Sequence, residues 1–245
     1  MTRLAGAVVL ITGGTSGIGH ALANTLLAQG CHVVVCGRDQ GRLDAARRRL
    51  AGVEALACDV TENGQIAGLL AHVERRWGRL DVLVNNAGRM TDLDFLQAPL
   101  SASRLAEEIQ INLMAPINVT NLALPLLLRG ESGTIVMVGS GYGWTPSARA
   151  PVYSAAKAGL RAFTKALRMQ LDRAGVGVME VIPPAVDTPS TAHRKGPKVS
   201  AELVAAKIAS GISRNAREVF IGDARAIPLA LRLAPRLLED RVGRA

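Results

Sequence analysis

Aromatic side chains make up only 3% of this 245-residue sequence, with two tyrosines and two tryptophans among them. The core must therefore be built from alanine, valine, leucine and isoleucine, and an apolar content of 49% is enough for a sizeable one. Cysteine is also scarce. Cys31, Cys36 and Cys58 are an odd number without the C-x-x-C spacing of a metal site, so no metal is expected. All three lie in or beside apolar runs, where a reduced thiol acts as a small hydrophobe and suits a cytoplasmic location. No apolar run reaches the roughly 18 residues of a membrane span. The opening MTRLAGAVVLIT is too short and wrongly flanked for a signal peptide. Basic residues exceed acidic ones by 29 to 20, a formal charge of +9. The arginines are scattered along segments such as RLDAARRRLAG, with no Lys/Arg block and no interleaved aromatics. A nucleic-acid partner is therefore not expected, and a surface that attracts a phosphorylated ligand is the simpler reading.

What the chain does have is a repeated alternation. Short β-branched runs fall at 7–12, 32–37, 53–58, 80–86, 133–140, 175–183 and 217–222. Helical patterns fall between them at 17–29, 39–50, 62–77, about 103–129, 153–173 and 200–213. Most of the strand candidates are apolar on both faces, which predicts a parallel sheet covered on both sides. The expected fold is α/β: one Rossmann-type, doubly wound parallel sheet of about seven strands with helices on both faces. No linker or repeat interrupts it, so residues 1–245 are read as one domain. It carries a long polar loop at 187–200, DTPSTAHRKGPKVS, and a C-terminal extension at 223–245.

The first strand runs directly into TGGTSGIG, with Gly13, Gly17 and Gly19 spaced G-x-x-x-G-x-G and Thr15 and Ser16 between them. A glycine turn that opens a helix lets backbone amides approach a pyrophosphate at the helix N-terminus. In such folds an acid ending the second strand takes a ribose 2′-hydroxyl, whereas an arginine there accommodates a 2′-phosphate. Here the strand ends VVVCGRDQ, with Cys36 and Gly37 at the acid's position and Arg38 next. A guanidinium matches a phosphate, so NADP is favoured over NAD, although Asp39 follows directly. Asp59 ends the third strand and reads either as a hydrogen-bond partner of the adenine or as a turn residue.

Farther along stands PVYSAAKAG, in which Tyr153 precedes Lys157 by one helical turn. Residues four apart share a helix face, so phenol and ammonium are expected as neighbours. Taken together, TGGTSGIG, NNAG (85–88), Asn112 in QINLMAP, Ser140 in VMVGSGYG, and YSAAK resemble the short-chain dehydrogenase/reductase family in order and spacing. Within it, CGRD, INLMAP and PPAVDT look like a branch of DltE-like oxidoreductases. The resemblance implies a tetrad of Asn112, Ser140, Tyr153 and Lys157. Tyr153 would exchange a proton with a carbonyl or alcohol oxygen, its acidity raised by Lys157. Ser140 would hold that oxygen, and Asn112 would anchor a water behind Lys157. Cofactor contacts are implied for Gly13, Thr15, Ser16, Gly17, Ile18, Gly19, Arg38, Asp59, Val60, Asn86, Ala87, Gly88, Tyr153, Lys157, Pro183, Val186 and Thr188.

One departure from the family is Pro183-Pro184 after the sixth strand, where most relatives carry Pro-Gly. The substrate pocket is expected to be walled by Met90, Phe95, Tyr142 and Trp144, and so to be largely apolar. In the loop, His193, Arg194, Lys195 and Lys198 read either as a solvated stretch or as contacts for an acidic substrate. The Leu/Arg-rich tail AIPLALRLAPRLLEDRVGRA is expected to pack on its own domain, ahead of a partner subunit or a membrane surface. Family members usually assemble as dimers or tetramers through the two long helices, here 103–129 and 153–173, so a homo-oligomer is expected. The function implied is NADP(H)-dependent interconversion of a small-molecule carbonyl and a secondary alcohol. The alternative is a dinucleotide-binding sensor or scaffold without turnover.

Overall fold

Strands apolar on both faces need cover on both sides, and the chain supplies it. The computed structural model describes residues 4–96, 99–130 and 133–243. Seven strands form one all-parallel sheet: β1 (Val8–Thr12), β2 (His32–Gly37), β3 (Glu54–Ala57), β4 (Val82–Asn85), β5 (Thr134–Val138), β6 (Gly177–Ile182) and β9 (Glu218–Phe220). Their spatial order is β3-β2-β1-β4-β5-β6-β9. Two short strands, β7 (Val186–Asp187) and β8 (Val199–Ser200), pair with each other at the two ends of the polar loop.

Each sheet face packs against its own helices. On one side α1 (Gly17–Ala28), α2 (Gln40–Arg49) and α7 (Ala201–Ser213) bury Leu22, Leu26, Leu43, Val204 and Ile208 against Val9, Ile11, Val33 and Val181. On the other, α3 (Asn63–Trp77), α5 (Ala115–Leu127) and α6 (Pro151–Leu171) bury Ile66, Val73, Val119, Leu127 and Leu160 against Leu10, Leu83, Ile135 and Val178. Alternate residues of one strand thus belong to two different cores, which is why β1 and β5 are buried at every position.

The single long helix expected at 103–129 is three pieces. Helix α4 (Ala102–Ile109) passes into a π-helical turn at Gln110–Met114, which leads into α5. The turn is closed by the Ala115 N–H donating to the Gln110 carbonyl five residues back. The tail forms two short helices, α8 (Ile227–Leu233) and α9 (Pro235–Gly243), divided at Ala234 and Pro235. It packs on its own domain: Ile227 Cδ1 lies against Gly141, and the Ala148 N–H donates to the Gly243 carbonyl at 3.0 Å. Leu229, Leu233 and Leu237 nevertheless stay exposed. Residues 244–245 of the extension lie outside the described residues. Among the described residues no helix is long and apolar enough to cross a membrane, and no cluster of potential metal ligands forms.

Candidate active site

Strand order reverses between β1 and β4, so the helices that follow these two strands leave toward opposite faces. A crevice opens there at the carboxyl ends of the strands, where open α/β sheets take ligands. In this chain it is a cleft of about 1360 Å³. Its walls collect residues from the glycine turn, the end of β2, the NNAG segment, Ser140, α6 and the 183–194 stretch.

At one end of the cleft Gly13 and Gly17 take φ values of +64° and +52°, which side chains with a Cβ seldom adopt. A Cβ on Gly19 would lie 2.6 Å from both Asn86 Nδ2 and the Gly13 carbonyl. The backbone is therefore packed to a closeness that only glycine permits, and Thr15, Ser16, Gly17 and Ile18 are left lining the cleft. Ser16 is the N-cap of α1 and makes no capping hydrogen bond with its hydroxyl. Thr12, which sequence reasoning passed over, fastens the turn to NNAG. Its Oγ1 accepts from the Asn86 and Ala87 N–H groups at 3.0 Å each, and Asn86 Nδ2 donates to the Thr12 carbonyl at 2.9 Å. The signal was a polar β-branched residue ending an apolar strand, directly before a glycine turn.

Farther along the same wall stand Arg38, Arg42, Asp59 and Val60. Asp39 is spent locally: its carboxylate caps α2 by accepting from the Arg42 N–H at 2.8 Å. Arg38 pairs with Asp59 at 3.2 Å while its side chain stays 69% exposed. Asp59 also accepts from the N–H and hydroxyl of Thr61, and these bonds, with Arg38, hold its carboxyl below its ordinary value despite burial. The turn reading of Asp59 thus describes its present bonds, on the wall where the adenine reading put it. Arg42 is the second residue missed. It sits in the first turn of α2, and its spacing from Arg38 is the signal.

At the opposite end, Ser140 caps a short 3-10 turn by accepting from the Tyr142 N–H at 3.1 Å. Tyr142 meets Tyr153 edge to face, their ring centroids 6.4 Å apart. Lys157 stands over the Tyr153 ring, its Nζ 5.6 Å from the centroid and donating to the Val138 carbonyl at 2.9 Å. The predicted neighbours are neighbours, but the expected direction of tuning is corrected. Burial pushes the Tyr153 phenol up to about 12, against a hydrogen bond from Ser140 and the charge of Arg194. Burial also pushes Lys157 down to about 8, with Glu180 pulling it back up. The ammonium over the ring face does not offset the desolvation of the phenol.

Asn112 occupies the π-turn and is fully buried behind Gly88 rather than on the cleft wall. Its Nδ2 donates to the Arg89 carbonyl at 2.6 Å and the Glu108 carbonyl at 2.9 Å, while its Oδ1 accepts from the Arg89 N–H at 3.2 Å. A Cβ on Gly88 would sit 2.8 Å from Asn112 Oδ1 and 3.7 Å from Lys157 Nζ, so Gly88 is the spacer between them. The π-turn thus presents an amide that pins the NNAG-Arg89 segment next to Lys157.

Two expectations for the pocket are overturned. Phe95 is 59% exposed and absent from the cleft wall. Trp144 lies outside the cleft, between α6 and β9, with the Arg161 guanidinium 3.5 Å above its ring and Phe220 edge-on at 5.1 Å. Met90 and Tyr142 do line the cleft. That end also carries polar Ser103, Gln110, Ser190, Thr191 and Arg194 beside apolar Ala106, Ile111, Pro184, Ala185 and Pro189. The substrate end is therefore mixed, an apolar wall broken by these polar groups. Pro183, Pro184, Val186 and Thr188 line the cleft as well, and Thr188 closes over the glycine turn. A Cβ on Gly17 would stand 2.9 Å from Thr188 Cγ2.

A glycine-cradled crevice at the sheet's switch point, joined to a Ser–Tyr–Lys cluster, defines a dinucleotide-dependent oxidoreductase. The family model described as short chain dehydrogenase matches residues 7–198, and the chain belongs to that family. It is 40% identical over 180 residues to the uncharacterized oxidoreductase DltE of Bacillus subtilis, covering 74% of this chain and 71% of that one. L-fucose dehydrogenase of Bos taurus is 36% identical, over 77% of this chain and 69% of its own. Among solved structures, an actinorhodin polyketide ketoreductase variant with NADPH is 29% identical. It has a TM-score of 0.81 and covers 90% of this chain and 97% of its own. The protein is an oxidoreductase of the short-chain dehydrogenase/reductase type, acting with a nicotinamide dinucleotide on a small molecule.

Proposed function

We propose that the protein reduces a carbonyl to a secondary alcohol with NADPH, Tyr153 giving the proton to the carbonyl oxygen. The observation that carries this reading is that the glycine turn, Ser140, Tyr153 and Lys157 all line one continuous cleft. When bound, the dinucleotide supplies the hydride. Thr15, Ser16, Gly17, Ile18, Asp59, Val60, Asn86, Ala87, Gly88, Val186 and Thr188 are the residues that would hold it. Ser140 orients the substrate oxygen beside the phenol, and burial keeps Tyr153 in its protonated form at neutral pH, as a proton donor requires. The test is turnover of NADPH across a panel of ketones, aldehydes and quinones. Tight NADPH binding without turnover of any carbonyl would overturn the reading.

NADPH in preference to NADH rests on Arg38 and Arg42 sharing the cleft wall while the Asp39 carboxylate is engaged in its own helix cap. The related ketoreductase solved with NADPH agrees with this. Charge-assisted bonds to a phosphate contribute about 1.5–3 kcal/mol, so Arg38→Ala is expected to weaken NADP binding roughly tenfold or more and leave NAD binding nearly unchanged. Thermal shifts with each dinucleotide read this directly. Equal losses for both would remove Arg38 as the source of the preference.

We also propose a homo-oligomer built on α4, α5 and α6. Met114 stands exposed on the π-turn, Leu122 on α5 and Met169 on α6. An apolar groove of about 580 Å³, lined by Leu105, Ile109, Pro151 and Val152, runs between α4 and α6. Light scattering that gave the monomer mass at micromolar concentration would exclude it.

A further inference from the structure

The inference here rests on the reductase reading and concerns what kind of carbonyl compound the cleft takes. Of the polar loop's His193, Arg194, Lys195 and Lys198, only Arg194 lines the cleft, together with Tyr142 and Tyr153. Lys198 turns away and donates to the Thr191 carbonyl at 2.6 Å. The Arg194 side chain keeps just 17% of its exposure, and its Nη2 donates to Asp92 Oδ1 at 2.7 Å. The other oxygen of Asp92 is taken by Arg149 Nη2 at 2.8 Å. One carboxylate therefore serves two guanidinium groups, and one positive charge is left over.

The surrounding charges do not cancel it. Arg89 is matched by Glu107 at 3.1 Å. Glu108 is buried, and burial raises its carboxyl above the ordinary value; Arg89 and Arg104 both act on it, and one of its oxygens accepts from the Thr91 N–H. A guanidinium carries five N–H donors, and among the described residues the bond to Asp92 is the only one that the Arg194 side chain makes. Donors remain for a second acceptor arriving from the cleft, beside the phenol whose acidity Arg194 already raises.

We propose that Arg194 binds a carboxylate carried by the substrate, so that the compound reduced here is a keto acid. The planar fork of arginine can pair with a carboxylate through two parallel bonds, and Asp92 occupies only one of its donors, through a single oxygen. The loop's other polar groups, Ser190 and Thr191, line the same wall and suit a hydrophilic ligand.

The experiment compares α-, β- and γ-keto acids with their methyl esters, in wild type, Arg194→Gln and Asp92→Asn, with NADPH saturating. The wild type is expected to prefer one acid over its ester by at least about tenfold in kcat/KM, the scale of a charge-assisted pair. Arg194→Gln should abolish that preference, raising KM for the acid by about tenfold more than KM for the ester. Asp92→Asn, which removes the competing carboxylate and keeps the arginine, should lower KM for the acid. If Arg194 only latched the loop to Asp92, both variants would change acid and ester alike, and the proposal would be overturned. An ester reduced as well as its acid would sink the anion site alone. If neither acid nor ester were reduced while another ketone was, the keto-acid proposal alone would fall; if no carbonyl of any kind were reduced, the reductase reading would fall with it.

Discussion

Tyr153→Phe is expected to bind NADPH as tightly as the wild type and to reduce carbonyls about a thousandfold more slowly, the middle of the range for losing a positioned proton donor. The substitution removes one oxygen and leaves the ring. The edge-to-face contact with Tyr142 and the stacking beneath Lys157 both survive, so folding and the cofactor end of the cleft stay intact. What goes is the hydroxyl bonded to Ser140, buried and held as neutral phenol to a pKa of about 12. A donor of that kind keeps its proton across the working range, so the wild-type rate should show no acid-to-base switch that belongs to Tyr153. Stopped-flow oxidation of NADPH together with a direct binding titration separates the two effects. A variant that turned over like the wild type would remove Tyr153 from the chemistry, and one that lost NADPH binding would make its role structural.

The parts of this molecule that were legible in its sequence are those fixed by chain-local physics. Strands β1, β4 and β5 announce themselves because residues facing either core must be apolar, so the whole run is. The glycine turn is legible because backbone closeness admits no other residue. Tyr153 and Lys157 were placed together because helical spacing alone does that. The misreadings share another origin. The π-turn at 110–114 escaped notice because one extra residue in a turn barely disturbs an apolar stripe, although it sets the direction of Asn112. Trp144 and Phe95 were assigned to the pocket from closeness in sequence to Ser140 and Arg89. Closeness in the chain says nothing about which side of a loop a side chain leaves, and tertiary partners decide it: Arg161 and Phe220 hold Trp144 behind α6. The direction in which Tyr153 is tuned was missed for a similar reason. Spacing supplies the charge partner but not the depth of burial, and burial is the larger effect here.

Lys157→Met is expected to cost on the order of a hundredfold in kcat/KM, and the pH profile should say why. Lys157 is only 5% exposed, and loss of hydration brings its ammonium down to about 8. The charged form is therefore complete well below that pH and is lost as pH rises through it. Activity that needs the ammonium should fall with a midpoint near 8, where an exposed lysine would hold its proton past 10. Glu180, on β6, is the carboxylate that supports the charge; it is almost fully buried, and one of its oxygens has no hydrogen-bond partner among the described residues. Burial and Glu218 push the Glu180 carboxyl up, while Arg161 and Lys165 on α6 favour its ionised form. Glu180→Gln keeps the shape and removes the negative charge, so the ammonium loses its attraction and the alkaline midpoint should move to lower pH. Glu180→Asp should restore it in part. A purely structural role would lower the plateau of the profile at every pH and leave the midpoint where it was. That outcome would disconnect Glu180 from Lys157.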